Sequence, residues 1–176
     1  MKNLTENIEL QYKEKKVKGK VITIKKEILI DIEKAWQKVQ TSNLLQYVAK
    51  GLIKFVPVDN KFPEVWIEGM EVKTRMLFFG FVPFGGIHVL KFMKIDDEQH
   101  ELITNEHDKA AKIWNHKISM KRIKDEDKIL YEDRVEIYGG ILTPMIVTWA
   151  IFFYRHRQNR WVKLAKDIKK RTHNKG

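Results

Sequence analysis

The chain has 176 residues, with 34 lysines and arginines against 23 aspartates and glutamates, a net charge of +11 and no cysteine. That length suits one domain able to bury roughly two thirds of its unfolded surface, and the missing thiols exclude disulfides, thiolate metal sites and cysteine nucleophiles. Nine of the basic residues, from Arg155 to Lys175, fall in the last 34 positions, and no zinc, helix-turn-helix or RNA-recognition motif accompanies them, so nucleic acid is not an expected partner.

Residues 1–19 are polar and lysine-rich, expected as an N-terminal extension, and lack the apolar core of a secretory signal, so a cytoplasmic setting is expected. From Lys20 to Ile30 β-branched residues and lysines nearly alternate, which predicts a strand, and Asp31 stands where a helix cap belongs. Ile32, Ala35, Trp36 and Val39 follow at helical spacing, and Thr41-Ser42-Asn43 starts a second short helix carrying Leu44, Leu45 and Val48 up to Gly51. Six strands are then predicted at Leu52–Val58, Gly69–Phe79, Ile87–Ile95, His100–His107, Lys112–Lys124 and Lys128–Tyr138. Turns are placed at Asp59-Asn60, Pro83-Phe84-Gly85-Gly86, Asp96-Asp97-Glu98 and Asp125-Glu126-Asp127. The chain closes on an apolar run, Ile141 to Tyr154, leading into a basic stretch to Arg171, with Thr143 as cap and Pro144 at the first helical position of one long helix. This run is shorter than the roughly 20 residues that a bilayer core needs. Residues 20–172 are expected to form the single domain, and 173–176 a disordered tail.

Strands joined by such short turns must pair antiparallel. A twisted sheet with one apolar face curls around something long and greasy, and the C-terminal helix is the natural occupant. The expected class is therefore α+β: a seven-stranded curved antiparallel sheet wrapped around a long C-terminal helix, with two short helices after the first strand.

That order resembles the helix-grip fold of the SRPBCC superfamily, which includes START lipid-transfer domains, the birch-pollen allergen family and polyketide cyclases. Ile113-Trp114-Asn115-His116, Tyr131-Glu132-Asp133-Arg134-Val135-Glu136-Ile137 and Gly140-Ile141-Leu142 are similar to a bacterial subgroup with tryptophan-x-histidine on one strand and aspartate-x-valine on the next. In that subgroup a glycine-leucine entry then leads into an arginine-rich last helix. Where the subgroup often has Gly-Pro-Phe, this chain has Ala110-Ala111-Lys112. The resemblance implies a hydrophobic cavity between sheet and last helix, in a group whose activity is largely unassigned.

The period of two puts Trp114, His116, Ile118 and Met120 on one face of their strand, and Ile129, Tyr131, Asp133, Val135 and Ile137 on one face of the next. A hairpin turn near residue 126 brings His116 close to Asp133 on the inner surface. The pair reads either as a satisfied structural contact or as the polar groups that orient a ligand, and in an enzyme the same two would be the catalytic candidates. On the helix, Trp149, Phe153, Trp161, Leu164 and Ile168 form a stripe, with Met145 and Phe152 beside it, interrupted by Arg157, which is placed either against a sheet carboxylate or at a ligand's head group.

The expected ligand-binding set is thus Trp114, His116, Tyr131, Asp133, Met145, Trp149, Phe153 and Arg157. Glu106, His107 and His116 match no metal-ligand spacing, and no metal or cofactor is expected. The glycines at 80, 85 and 86 precede a strand rather than a helix, unlike a phosphate loop. The expected function is binding of a small hydrophobic or amphipathic molecule, lipid-like or aromatic. The alternatives are a cyclase- or hydratase-type enzyme using His116 and Asp133, and an interaction protein with a filled core whose basic helix end contacts anionic membrane or acidic protein. A connected hollow of about 300 Å³ or more separates the first two from the third.

Overall fold

The computed structural model describes residues 4–59, 61–123 and 127–173. In chain order they form β1 (Leu4–Tyr12), β2 (Lys15–Ile28), α1 (Ile32–Val39), α2 (Ser42–Ala49), β3 (Ile53–Pro57), β4 (Glu71–Phe78), β5 (Val82–Asp96), β6 (Glu101–His107), β7 (Ile113–Arg122) and β8 (Ile129–Tyr138). A short 3-10 turn (Gly140–Leu142) then leads into α3 (Thr143–His173). The strands make one eight-stranded sheet in the order β1-β2-β8-β7-β6-β5-β4-β3, every neighbouring pair antiparallel. The architecture is α+β helix-grip, with the sheet curved around α3.

The two short helices are capped as their sequences dictate. Asp31 Oδ1 accepts from the Lys34 amide (3.2 Å) and Thr41 Oγ1 from the Leu44 amide (3.3 Å), so each occupies one amide that the first helical turn leaves without a partner. Ile32, Ala35, Trp36 and Val39 all turn inward on α1. The Trp36 indole donates to Asp97 (2.6 Å), and Gln40 donates to the same carboxylate (3.0 Å), which fastens α1 to the β5–β6 turn.

Three expectations need correction. The sheet has eight strands rather than seven, because residues read as a polar extension form β1 and the start of β2. Ile8, Leu10 and Tyr12 alternate toward the protein, and a tight turn with Lys13 at φ 54° reverses the chain among lysines whose charge masked that alternation. Pro83-Phe84-Gly85-Gly86 is not a turn but part of β5, where Gly85 and Gly86 (φ 72° and 77°) form a bulge opposite Arg75 and Met76. The reversal lies at Phe79-Gly80 instead, both at positive φ.

Thr143 does not cap α3: its hydroxyl accepts from the Gly139 amide (3.0 Å) and donates to the Gly140 carbonyl (2.7 Å), bracing the turn before the helix. Trp66 lies in an irregular stretch ahead of β4, stacked on Phe92 with ring centres 4.6 Å apart and plugging the sheet's end. The turn expected at 125–127 and the tail expected at 173–176 fall largely outside the described residues, with α3 reaching His173.

Helix α3 leans on β2, β8 and α2. Ala150, Trp161 and Ala165 are buried on the helix, with Trp161 edge-on to Tyr131 of β8 (6.5 Å), whereas Tyr154 meets Trp114 and His116 of β7. Two of the arginines counted in the basic tail turn inward: Arg157 is buried, and Arg160 donates to the Tyr47 carbonyl (2.7 Å) with its guanidinium over the Tyr47 ring (4.5 Å). No described helix is long and apolar enough to cross a membrane.

Gly139 sits where the chain leaves the sheet. A Cβ added there would lie 2.7 Å from the Ala110 carbonyl oxygen and would also strike Ile146, so a backbone atom has to move to admit any side chain. Gly139→Ala is expected to cost about 1–3 kcal/mol, the usual penalty for overpacking, measured as a lower midpoint of urea denaturation.

Candidate ligand cavity

The alternation that builds the core also builds a hollow. β4 to β7 turn their inner residues toward the first half of α3, but the helix is held over the other side of the sheet, so a gap of about 300 Å³ stays open between them. Its walls are aromatic and aliphatic: Trp66, Phe78, Phe84, Leu90, Phe92 and Trp114 from the sheet side, and Met145, Trp149, Phe153 and Tyr154 from the helix. Phe78 stacks on Phe84 (4.5 Å) and meets Trp149 (4.7 Å), joining the β4–β5 hairpin to α3 at the rim.

One wall is polar. His88, Thr104, Glu106, Asp108, His116 and Arg157 reach the hollow from β5, β6, the loop after β6, β7 and α3. His88 is held between two carboxylates, its Nδ1 3.0 Å from Asp108 Oδ2 and its Nε2 2.9 Å from Glu106 Oε2. Both ring nitrogens therefore donate, and the ring carries a charge. Burial opposes that charge, yet the hydrogen bonds to Asp108 and Glu106 outweigh it and raise the His88 pKa to about 9. Burial likewise pushes Glu106 and Asp108 up, but their bonds to His88 win, and both are held below the ordinary carboxylate range. Glu106 also accepts from Thr104 Oγ1 (2.6 Å), and Asp108 Oδ1 accepts from the amides of Ala110 and Ala111 (2.7 Å each).

A second cluster lies behind the first. His116 Nε2 donates to Asp133 Oδ1 (2.8 Å), and Gln158 Nε2 donates both to Asp133 Oδ2 (2.9 Å) and to the Ile24 carbonyl (2.8 Å). The register pairs Ile118 with Asp133 and His116 with Val135, so histidine and aspartate meet diagonally across β7 and β8, on the surface that alternation assigns them. Burial raises the Asp133 pKa, but the Arg157 charge and the His116 bond overcome it and keep the carboxylate ionised. Burial disfavours the Arg157 charge as well, and Asp133 restores it. The guanidinium lies over the Tyr154 ring at 5.0 Å. His116 Nδ1 stands 3.9 Å from Glu106 Oε1, where the two clusters face each other.

Of the eight residues expected at the site, six border the hollow: Trp114, His116, Met145, Trp149, Phe153 and Arg157. Tyr131 and Asp133 do not, because α3 covers them: Trp161 packs edge-on against Tyr131 (6.5 Å), and Gln158 lies over Asp133. His88 and Asp108 were not anticipated, and Glu106 had been weighed only as a metal ligand. The period of two carries Leu102, Thr104 and Glu106 inward together, and His88 with Leu90 and Phe92, so the signal was present. Among the described residues no group of three or more histidines, aspartates and glutamates is arranged to hold a metal ion. The cluster is instead satisfied by its own charges.

No protein-family model matches the chain, and no curated protein matches its sequence. Solved structures do match. A START superfamily protein from Mycobacterium smegmatis superposes with a TM-score of 0.65 at 10% identity, over 84% of this chain and 98% of that one. A norcoclaurine synthase point mutant from Thalictrum flavum, in complex with a transition-state analogue, gives 0.62 at 14% identity, over 96% and 99%. The same plant's norcoclaurine synthase with dopamine and hydroxybenzaldehyde gives 0.61 at 15% identity, over 85% and 87%. The chain thus has the START-like helix-grip fold that its sequence resembles.

Proposed function

We propose that this protein binds a small amphipathic molecule, with an aromatic or aliphatic body, in the hollow between sheet and last helix. The observation that carries the reading is the hollow of about 300 Å³, apolar on most walls and charged on one. Apolar burial supplies affinity at roughly 25 cal/mol per Å², and a few convergent polar groups supply orientation, which is the usual build of a small-molecule site. A protein whose only task was to present a basic helix would gain stability by closing the space.

The test is uptake of the neutral fluorescent probe N-phenyl-1-naphthylamine. Wild-type protein is expected to bind it with a blue-shifted, enhanced emission. Leu90→Trp, which drives an indole into the hollow, is expected to weaken binding at least about tenfold, with the far-UV circular dichroism unchanged. Equal uptake by both proteins, or none by the wild type, would remove the cavity from consideration. Native mass spectrometry of protein taken from its source then identifies what the hollow holds.

A second reading, catalysis of the cyclase or hydratase kind, is favoured by one observation: a charged histidine between two ionised carboxylates, beside His116, on the wall of a mainly apolar space. The structural neighbours include a synthase bound to a transition-state analogue. The two readings part on whether a compound held by the cavity is released chemically changed.

A further inference from the structure

Two donors on the polar wall are left over by the protein's own acceptors. Tyr154 is 1% exposed and Arg157 8%, and both border the hollow. The Tyr154 oxygen receives the Trp114 indole N–H (3.2 Å), which fixes the direction of the hydroxyl and leaves its own proton to be given elsewhere. Burial holds that hydroxyl protonated well beyond the ordinary tyrosine range. Among the described residues no oxygen or nitrogen receives the proton. Arg157 stands over the same ring, its guanidinium carbon 5.0 Å from the centre. The Tyr131 hydroxyl, beneath the helix, faces the guanidinium, which has more N–H groups than one hydroxyl can receive. Among the described residues no carboxylate pairs with it at contact. Asp133 turns its oxygens to His116 and Gln158, Glu106 to His88 and Thr104, and Asp108 to His88 and the Ala110 and Ala111 amides. This holds whether His116 carries one ring proton or two, because its nitrogens face Asp133 and Glu106 rather than Tyr154 or Arg157.

The guanidinium therefore lacks a lone pair rather than a countercharge. Burial opposes its charge, and Asp133, with Glu106 behind it, sustains that charge. An incoming carboxylate would add a further anion beside these two in a mainly apolar space, and an incoming ammonium would meet Arg157 and the charged His88. A molecule that fills the hollow displaces water from both donors and has to return an acceptor or lose affinity. A carbonyl oxygen brings two lone pairs and no charge.

We propose, on the reading of this hollow as a binding site, that its ligand carries an uncharged carbonyl group whose oxygen accepts from the Tyr154 hydroxyl and the Arg157 guanidinium, with an apolar body lying among Trp114, Trp149 and Phe153. Trp114 is then a positioning residue, since its indole aims the hydroxyl.

Near-isosteric probes test this by displacing N-phenyl-1-naphthylamine at neutral pH: 4-phenylbutan-2-one, 3-phenylpropanoic acid and 4-phenylbutan-2-amine, with butylbenzene as the headless reference. In the wild type the ketone is expected to displace the dye at concentrations at least about tenfold below the acid and the amine. Tyr154→Phe is expected to weaken the ketone about tenfold relative to butylbenzene, with each displacement referred to the dye affinity of that variant. Infrared difference spectra of the wild type need no variant and report the hydrogen bond itself. The carbonyl band of the bound ketone is expected at lower frequency than that of the same ketone in hexane. An acid or amine that matches the ketone, a ketone that does not displace the dye, equal losses of ketone and butylbenzene in Tyr154→Phe, or a carbonyl band at its hexane position overturns the assignment while leaving the cavity intact. Failure of the dye to enter the wild type at all overturns the cavity reading itself.

Discussion

Raising the pH from about 6 to about 10 is expected to remove about 3 kcal/mol of folding stability through one side chain, His88. In the unfolded chain this histidine titrates near 6.5, and in the folded protein Asp108 and Glu106 hold its proton up to about 9. A group whose pKa is raised by folding contributes its full stabilisation below the unfolded value and loses it as the pH climbs through the folded one. The decline therefore begins above about 6.5 and is complete past about 9. Urea unfolding at half-unit steps of pH measures it. His88→Gln should be less stable than wild type at pH 6 and should show a flat profile across the same window. A wild-type curve that is level between 6.5 and 9 would mean that His88 is not held charged. The carboxylates give the opposite limb. Glu106, Asp108 and Asp133 are depressed by folding, so their contribution is present above the ordinary carboxylate range and is lost as acid protonates them.

Asp133→Ala is expected to cost about 3–5 kcal/mol, because it strands a buried arginine. The carboxylate is 1% exposed and accepts from His116 and Gln158, while its charge sustains that of Arg157. With it gone, those donors lose a buried acceptor and the guanidinium loses the charge that offsets its burial. Asp133→Asn keeps the shape but not the charge and should fall between the two. A double substitution, Asp133→Leu with Arg157→Met, should recover more than half of the loss, since well-packed apolar groups often replace a buried pair without penalty. Chemical denaturation of the four proteins decides it. A loss below about 1 kcal/mol in the alanine variant would show that Asp133 is not the partner that keeps Arg157 inside.

How far these groups could be read from the sequence depends on the regularity of the strands that carry them. β7 and β8 pair in one unbroken register from Ile113 and Tyr138 to Arg122 and Ile129. Counting outward from their turn therefore brought His116 and Asp133 together. β5 and β6 do not: the register slips between Phe92 and Lys94, and β4 and β5 slip again at Arg75 and Met76. Past such a slip, counting from the turn assigns the wrong opposite neighbour, so it cannot match His88 with Glu106. The Gly85-Gly86 pair misled for a related reason. Glycines at positive φ serve bulges as well as turns, and only the strand continuing on both sides tells them apart. Covering was equally illegible. Alternation turns Tyr131 and Asp133 inward, as it does His116, but which inward residues border empty space depends on where the helix comes to rest.

That resting place has a consequence for how such a protein can change. α3 is seated on β2 and β8, where Trp161 packs edge-on against Tyr131 and Gln158 bonds the Ile24 carbonyl and Asp133, while Phe78, Phe84, Leu90 and Phe92 look across open space. Substitutions along the first set disturb the keel of the molecule. Exchanges among the second resize the hold and leave the keel alone. One continuous sheet is thereby split into a half that bears the helix and a half that bounds open space, and the second can be reshaped at β4 and β5 without disturbing the seat of the helix.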